Sequence, residues 1–242
     1  MRIMTKFTRA SAYFGFAVAT TLGLGSPVAA DQTEQVMETS VSEVMDYLLY
    51  LPEDYQENEK DYPLVLYLHG GGSEDFGNDF MTQTAATGTE YPFIMVSPRN
   101  PNPETFMPIQ TVKTLLDEVV ASERVDENRI YLAGNSRGAY AAWLMAMQYP
   151  DQFAAVVPVS GGGIPHYLNR VAPGVDFWVF HGAQDDVISL SSSVEMVERL
   201  QGLEGERDIR FTVYPDAGHE ETDRRAFTDP ALFEWMLSQS KE

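Results

Sequence analysis

From about Glu43 onward, short apolar runs alternate with segments of helical period, and few folds accept that alternation. Strands are expected at Val44–Leu51, Tyr62–His69, Phe93–Ser97, Ile130–Gly134, Ala154–Ser160, Phe177–His181 and Ile209–Tyr214. The run Pro63-Leu64-Val65-Leu66-Tyr67-Leu68 is apolar throughout, as a strand covered on both faces must be. Between the strands, Ile109, Val112, Leu115, Leu116, Val119 and Val120 share one helix face. Tyr140, Trp143, Leu144 and Met147 share another, before Tyr149-Pro150 stops the helix. Ser192 and Glu195 have capping-box spacing, and Asp229-Pro230 opens a last helix carrying Leu232, Phe233, Met236 and Leu237. The pattern predicts an α/β fold, with a mostly parallel central sheet and helices on both faces.

Residues 1–30 are expected to stand outside that fold. Arg2, Lys6 and Arg9 precede the uncharged run Ala12–Leu24, and Ser26-Pro27-Val28-Ala29-Ala30 supplies small residues for cleavage before Asp31. This is the layout of a cleavable signal peptide, and the apolar run is short for a membrane span. The expectation is an exported protein, periplasmic or secreted, whose residues 31–242 form a single domain. Of the 242 residues, 36 are Asp or Glu and 16 are Lys or Arg, a formal charge of −20. A surface so acidic repels nucleic-acid phosphates and anionic headgroups, so neither nucleic acid nor membrane is an expected partner. With 0 cysteines, disulfides, Cys-ligated metals and a thiol nucleophile are excluded.

The chemistry gathers at strand ends. Ile130-Tyr131-Leu132-Ala133-Gly134-Asn135-Ser136-Arg137-Gly138-Ala139-Tyr140 reads as a buried strand, G-x-S-x-G, then a helix. A serine on so sharp a turn needs strained backbone angles, and glycines two residues either side remove the clashes that bulkier residues would make. Its hydroxyl then stands beside a helix N-terminus, where N–H groups favour developing negative charge. A second signal is His69-Gly70-Gly71-Gly72 directly after a strand. Acyl transfer needs two backbone N–H donors for the oxyanion. Arg137, following the serine, offers one, and Gly71 is the choice for the other, with Gly70 and Gly72 as alternatives.

Four histidines leave few choices of base. His69 and His181 sit at strand ends, where a ring braces backbone, and His166 lies in the Gly162–Val175 connection, as a solvated side chain or a substrate contact. His219, in a loop past the last strand, is left as the base. The acid that orients it should come from Asp185 or Asp186, directly after the Phe177–His181 strand. The order Ser, Asp, His is that of the α/β-hydrolases.

The chain resembles the α/β-hydrolase superfamily, and within it a small secreted carboxylesterase and "predicted peptidase" group related to feruloyl and acetyl esterases and dienelactone hydrolase. The resemblance is carried by Tyr47–Pro52, the His69–Gly72 loop, Val125–Tyr131, the Ser136 elbow, Phe180–Val187 and Tyr214–His219. In that group the acid sits four residues after the His of an H-G pair, which selects Asp185. Two departures stand out. Asn135 and Arg137 flank the serine where an apolar residue and Met are more familiar, and Ser73–Asp79 differs from the usual loop.

The expected function is hydrolysis of short-chain, or acyl and aryl, esters on small molecules or polysaccharide carriers, through a Ser136–His219–Asp185 acyl-enzyme cycle. No cofactor or metal is called for; Glu74, Asp75 and Asp79 read as a solvated face. Only Gly161–Val175 separates two strands where larger relatives insert a lid domain, so none is expected and the cleft should be open. Arg99, at the same sheet edge, and His166 are the candidate substrate contacts. A peptidase of the prolyl oligopeptidase type, and a catalytically silent binding protein, are the competing readings.

Overall fold

The computed structural model describes residues 44–71 and 91–241. The proposed leader, Gly72 and the Glu74–Asp79 acidic loop lie outside them. Seven strands form one sheet: β1 (Tyr47–Tyr50), β2 (Tyr62–Leu68), β3 (Ile94–Pro98), β4 (Val125–Asn135), β5 (Ala155–Val159), β6 (Asp176–Gly182) and β7 (Ile209–Tyr214). Their order is β1-β3-β2-β4-β5-β6-β7. Only β1 runs antiparallel, pairing Leu49 with Val96 on β3. All other neighbours are parallel, for example Leu66 with Leu132 and Ala133 with Val157. The helices among the described residues are α1 (Ile109–Ser122), α2 (Arg137–Gln148), α3 (Leu190–Gln201), α4 (His219–Phe227) and α5 (Pro230–Ser238).

Alternate side chains of each strand enter different cores. Leu64, Leu66, Leu68, Ile130 and Leu132 pack with residues of α1, α2 and α3. Val65, Tyr67, Tyr131 and Ala133 pack on the opposite face with Phe227, Phe233, Trp235 and Met236. This is why the strands read as unbroken apolar runs. Each fully buried large side chain contributes roughly 1.5–3 kcal/mol, so the two layers, not crosslinks, hold the site's scaffold. Trp143 anchors the first layer, stacked on Phe177 at 5.0 Å between ring centroids.

Several boundaries differ from the sequence reading. β1 is only Tyr47–Tyr50, because an edge strand bonded on one side ends where β3 does. β4 starts at Val125, five residues before the apolar run; its polar start pairs Val125 with Tyr62 across a register shift. α2 buries Ala139, Ala141, Ala142 and Ala146 besides Trp143, leaving Tyr140 and Leu144 half-exposed, because small residues let it lie close on the sheet. α3 begins three residues earlier than the Ser192–Glu195 spacing implied, with Ser189 as its cap. α4 was not expected at all. Its Glu220-Glu221 start and Arg224-Arg225 end suit the helix dipole but hide any apolar periodicity. The β5–β6 connection is a short 3-10 turn, Pro165–Arg170, closed over by Leu168, and holds no inserted domain.

Candidate active site

The C-terminal ends of β2, β4, β5 and β6 meet here, where parallel sheets present their loops. β4 runs into α2 through Ser136, whose φ of 53° and ψ of −121° are rare for a residue with a side chain. The Ser136 amide donates to Val159 O at 2.9 Å, tying the turn to β5. The flanking glycines are sterically required. A Cβ on Gly134 would lie 2.5 Å from Gly138 O, and one on Gly138 would overlap the Leu68 carbonyl and stand 2.7 Å from His69 O. α2 therefore starts in direct backbone contact with the end of β2.

The glycine loop packs on this elbow. A Cβ at Gly70 would lie 3.3 Å from that of Ser136. His69 braces the loop: its Nε2 accepts from the Asn100 amide at 3.1 Å, so its Nδ1 carries the proton and donates to Gly70 O at 2.7 Å. Gly71 lies against the Arg137 guanidinium, which fills the space a side chain there would need.

Asp185 and His219 come together as a pair. His219 Nδ1 donates to Asp185 Oδ2 at 2.7 Å, with the carboxylate fully buried and the imidazole 13% exposed. Asp185 Oδ1 accepts from the amides of Val187 (3.0 Å) and Ile188 (2.9 Å), so the carboxylate is held on both oxygens. Asp186 is exposed. His219 is the first residue of α4, not a loop residue; its ring is aimed by a helix rather than swung by a flexible segment. Among the described residues no hydrogen bond joins Ser136 Oγ to His219. His181 is buried behind the pair, its Nε2 donating to Ile188 O at 2.9 Å and standing 3.4 Å from Asp185 Oδ2. Burial pushes the His181 pKa down, outweighing the Asp185 charge.

Beneath the elbow lies a network the sequence did not announce. Tyr67 Oη donates to Asn135 Oδ1 at 3.0 Å, and Asn135 Nδ2 donates to Asp223 Oδ2 at 2.6 Å. Asp223 Oδ1 and Ser160 Oγ are both buried, and among the described residues neither makes a hydrogen bond of good geometry, although Ser160 stands close enough to Asp223 to help lower its pKa. Burial raises the Asp223 pKa to about 7, against the Asn135 hydrogen bond and the His219 charge that lower it. The only sequence hint was spacing: Asp223 is four residues after His219, one helical turn along the same face.

Arg99 and His166 were the expected substrate contacts. Arg99 follows β3 and is exposed, its amide donating to Asp46 O at 2.7 Å. His166 is exposed on the 3-10 turn, its ring edge-on to Tyr167 at 5.5 Å.

Residues 108–167, spanning α1 to the 3-10 turn with the elbow inside, match the family described as Esterase PHB depolymerase. Poly(3-hydroxyalkanoate) depolymerase C of Paucimonas lemoignei is 26% identical over 135 residues, 43% of this chain and 33% of the relative. Probable feruloyl esterase C of Aspergillus niger is 26% identical over 172 residues (66% and 62%). Probable acetylxylan esterase A of the same fungus is 24% identical over 197 residues (71% and 63%). The chain thus spans between a third and just under two-thirds of these relatives' lengths. Among solved structures, a thermostable esterase superposes with a TM-score of 0.67 at 25% identity, over 81% of this chain and 60% of that one. The feruloyl esterase module of Clostridium thermocellum, solved as a mutant with sinapinate, gives 0.61 at 18% identity, over 77% and 81%.

Sheet order, elbow and these likenesses define an α/β-hydrolase. Within that superfamily the chain is similar to feruloyl and acetylxylan esterases, at 24–26% identity.

Proposed function

We propose that this protein is an exported serine hydrolase of carboxylic esters, with Ser136 as nucleophile, His219 as base and Asp185 as the acid that orients it. One observation carries the reading: a buried carboxylate, held on both oxygens, fixes the ring of His219, while a strained elbow presents a serine at the same edge. With Nδ1–H committed to Asp185, Nε2 is the free base. It takes the Ser136 proton as Oγ attacks the ester carbonyl. The oxyanion is received by the Arg137 amide and by that of Gly71, with Gly70 as the alternative donor. Collapse expels the alcohol, which takes the proton from His219. Water, deprotonated by the same nitrogen, then frees the acid and restores Ser136. The Ser136–His219 hydrogen bond is made as substrate binds, a common tightening in sites of this kind.

The absence of an insert between β5 and β6 supports small or carrier-linked esters over a peptide that must be gripped. The test is turnover of p-nitrophenyl acetate and butyrate, acetylated and feruloylated sugars and a chromogenic dipeptide, with labelling by a fluorophosphonate. Wild type should be labelled and cleave esters, and Ser136→Ala should do neither while remaining folded. A folded wild type that is not labelled refutes the reading; preferential turnover of the dipeptide moves it to the peptidases. Export from the residue 1–30 leader is tested by fractionation and N-terminal sequencing, with Asp31 expected first.

A further inference from the structure

Ser136 and His219 hang from different parts of the sheet. The elbow leaves β4, whereas Asp185 follows β6 and the start of α4 packs on the end of β6. A Cβ at Gly182 would lie 2.3 Å from Ala217 O and 2.4 Å from Thr222 Oγ1. β5 lies between β4 and β6, so the two halves of the site stand on strands roughly 10 Å apart. Asp185 fixes His219 within the β6 half only, and among the described residues no hydrogen bond joins Ser136 Oγ to His219. Proton transfer needs the two side chains placed to within about half an ångström.

One side-chain hydrogen bond spans the gap. Asn135, the residue before Ser136, donates from Nδ2 to Asp223 Oδ2 at 2.6 Å, and Asp223 lies one helical turn after His219 on α4. Among the described residues this is the only hydrogen bond between α4 and the β4–α2 segment. Its Asn135 end is held in turn: Tyr67 Oη donates to Asn135 Oδ1 at 3.0 Å, and a Cβ at Gly70 would lie 3.1 Å from Asn135 Nδ2. One buried amide thus touches the elbow, the glycine loop and, through Asp223, the helix of the base. The far end of α4 has its own anchor, Phe227 edge-on to Tyr67 at 5.4 Å, but that contact lies two turns beyond His219.

We propose that Asn135 and Asp223 are positioning residues, whose hydrogen bond is the strut that sets His219 at proton-transfer distance from Ser136. This rests on the reading of those two as base and nucleophile. The role needs an acceptor at position 223, not a charge: a carboxyl in either protonation state, or an amide, can accept from Nδ2. An apolar residue before the serine could not make the bond.

The experiment measures kcat and KM for p-nitrophenyl acetate, and the rate of labelling by a fluorophosphonate. It compares wild type, Asn135→Ala, Asp223→Ala, the double variant and Asp223→Asn, each shown to be folded by circular dichroism. Each single Ala variant should lose about ten- to a hundredfold in kcat and labelling rate with KM within about twofold, the scale of a base displaced by roughly 1 Å. The double variant should be no slower than the slower single one, because one strut is lost only once. Asp223→Asn, which keeps the acceptor, should recover most of the Asp223→Ala loss. If Asp223→Ala does not fold, Asp223→Leu fills the space without an acceptor and carries the same expectation. Losses that multiply in the double variant, a single Ala variant at the wild-type rate, a loss confined to KM, or an Asn variant as slow as Ala would each overturn the strut and leave the hydrolase reading intact. A folded wild type that neither cleaves the ester nor takes the label removes both.

Discussion

Replacing Asp223 by Asn should stabilise the protein at neutral pH and do little in acid. In the folded chain the carboxyl titrates at about 7 instead of the ordinary 3.8, because burial disfavours its charged form. Between those two pH values the unfolded chain has released this proton while the folded chain still holds it. The folded state binds more protons there, so stability falls as pH rises through the window and levels off above it. At about 1.4 kcal/mol per unit, the three-unit gap corresponds to at most roughly 4 kcal/mol. Asn removes the charge and keeps an oxygen to accept the 2.6 Å hydrogen bond from Asn135, so the network survives. The buried His181 works in the opposite sense: its pKa is lowered on folding, so it removes stability as pH falls. That contribution is common to both proteins and cancels in their difference. Urea denaturation of wild type and Asp223→Asn, followed by circular dichroism at pH 5 and pH 8, measures the rest. The advantage of Asn should grow by about 2–4 kcal/mol between the two conditions. An advantage that does not change with pH would show that Asp223 is ionised in the fold throughout, and the reasoning would fail.

Other substitutions test the elbow and the pair. Asp185→Asn should cut kcat by about 10³–10⁴-fold, because an amide no longer holds His219 in the required tautomer, while the exposed Asp186→Asn should change it less than about twofold. The reverse ranking in ester assays would name the wrong acid. Gly138→Ala would ordinarily help a helix by about 1 kcal/mol, but its methyl group would overlap the Leu68 carbonyl. Overpacking against backbone should reverse the sign and cost about 2–3 kcal/mol of unfolding free energy, read as a lowered denaturant midpoint; an unchanged or raised midpoint would contradict the contact. Ser136→Gly should abolish hydrolysis and melt above Ser136→Ala, since glycine alone relaxes a φ of 53°. Equal melting temperatures would mean that the elbow stores no strain.

How much of this was legible depends on where the signal lies. Strands buried on both faces announce themselves, since every residue of β2 must be apolar whichever core it enters. The elbow was legible because its steric demands are local: Gly134, Ser136 and Gly138 are read in one window, and the atoms that exclude a Cβ there are backbone. His219 was reached by elimination among four histidines, whereas the place after β6 left Asp185 and Asp186 open and the family resemblance chose between them. The helix beginning at His219 was missed because the run Glu220-Glu221-Thr222-Asp223-Arg224-Arg225 carries no apolar stripe. Its stability comes from a charge gradient along the dipole and from Ala226 and Phe227 entering the core at its end. Asp223 was illegible for the same reason. One acidic residue in a charged run looks solvated, and only the approach of Asn135 from a strand 88 positions away makes it a buried group.

The two unusual neighbours of Ser136 are resolved by the same turn in opposite directions. Asn135 ends β4, is buried, and points into the layer beneath the nucleophile, where an amide must find partners or cost roughly 1–3 kcal/mol. Tyr67 and Asp223 supply them, one from each side. Arg137 begins α2 and points outward, where a long cation needs room and something to hold it. Gly71 yields the room by having no side chain, and the Pro103 and Thr105 carbonyls hold it. Each departure therefore has a compensating residue far away in sequence and adjacent in space. A pair that merely drifted from an apolar residue and Met would leave an unpaired amide inside and a mobile guanidinium outside. Here the inner one is hydrogen-bonded at both ends, and the outer one is pinned by the Pro103 and Thr105 carbonyls with its Nε and Nη2 packed on Gly71. A site arranged in this way is braced on both sides of the serine, by a buried amide below and a pinned guanidinium above.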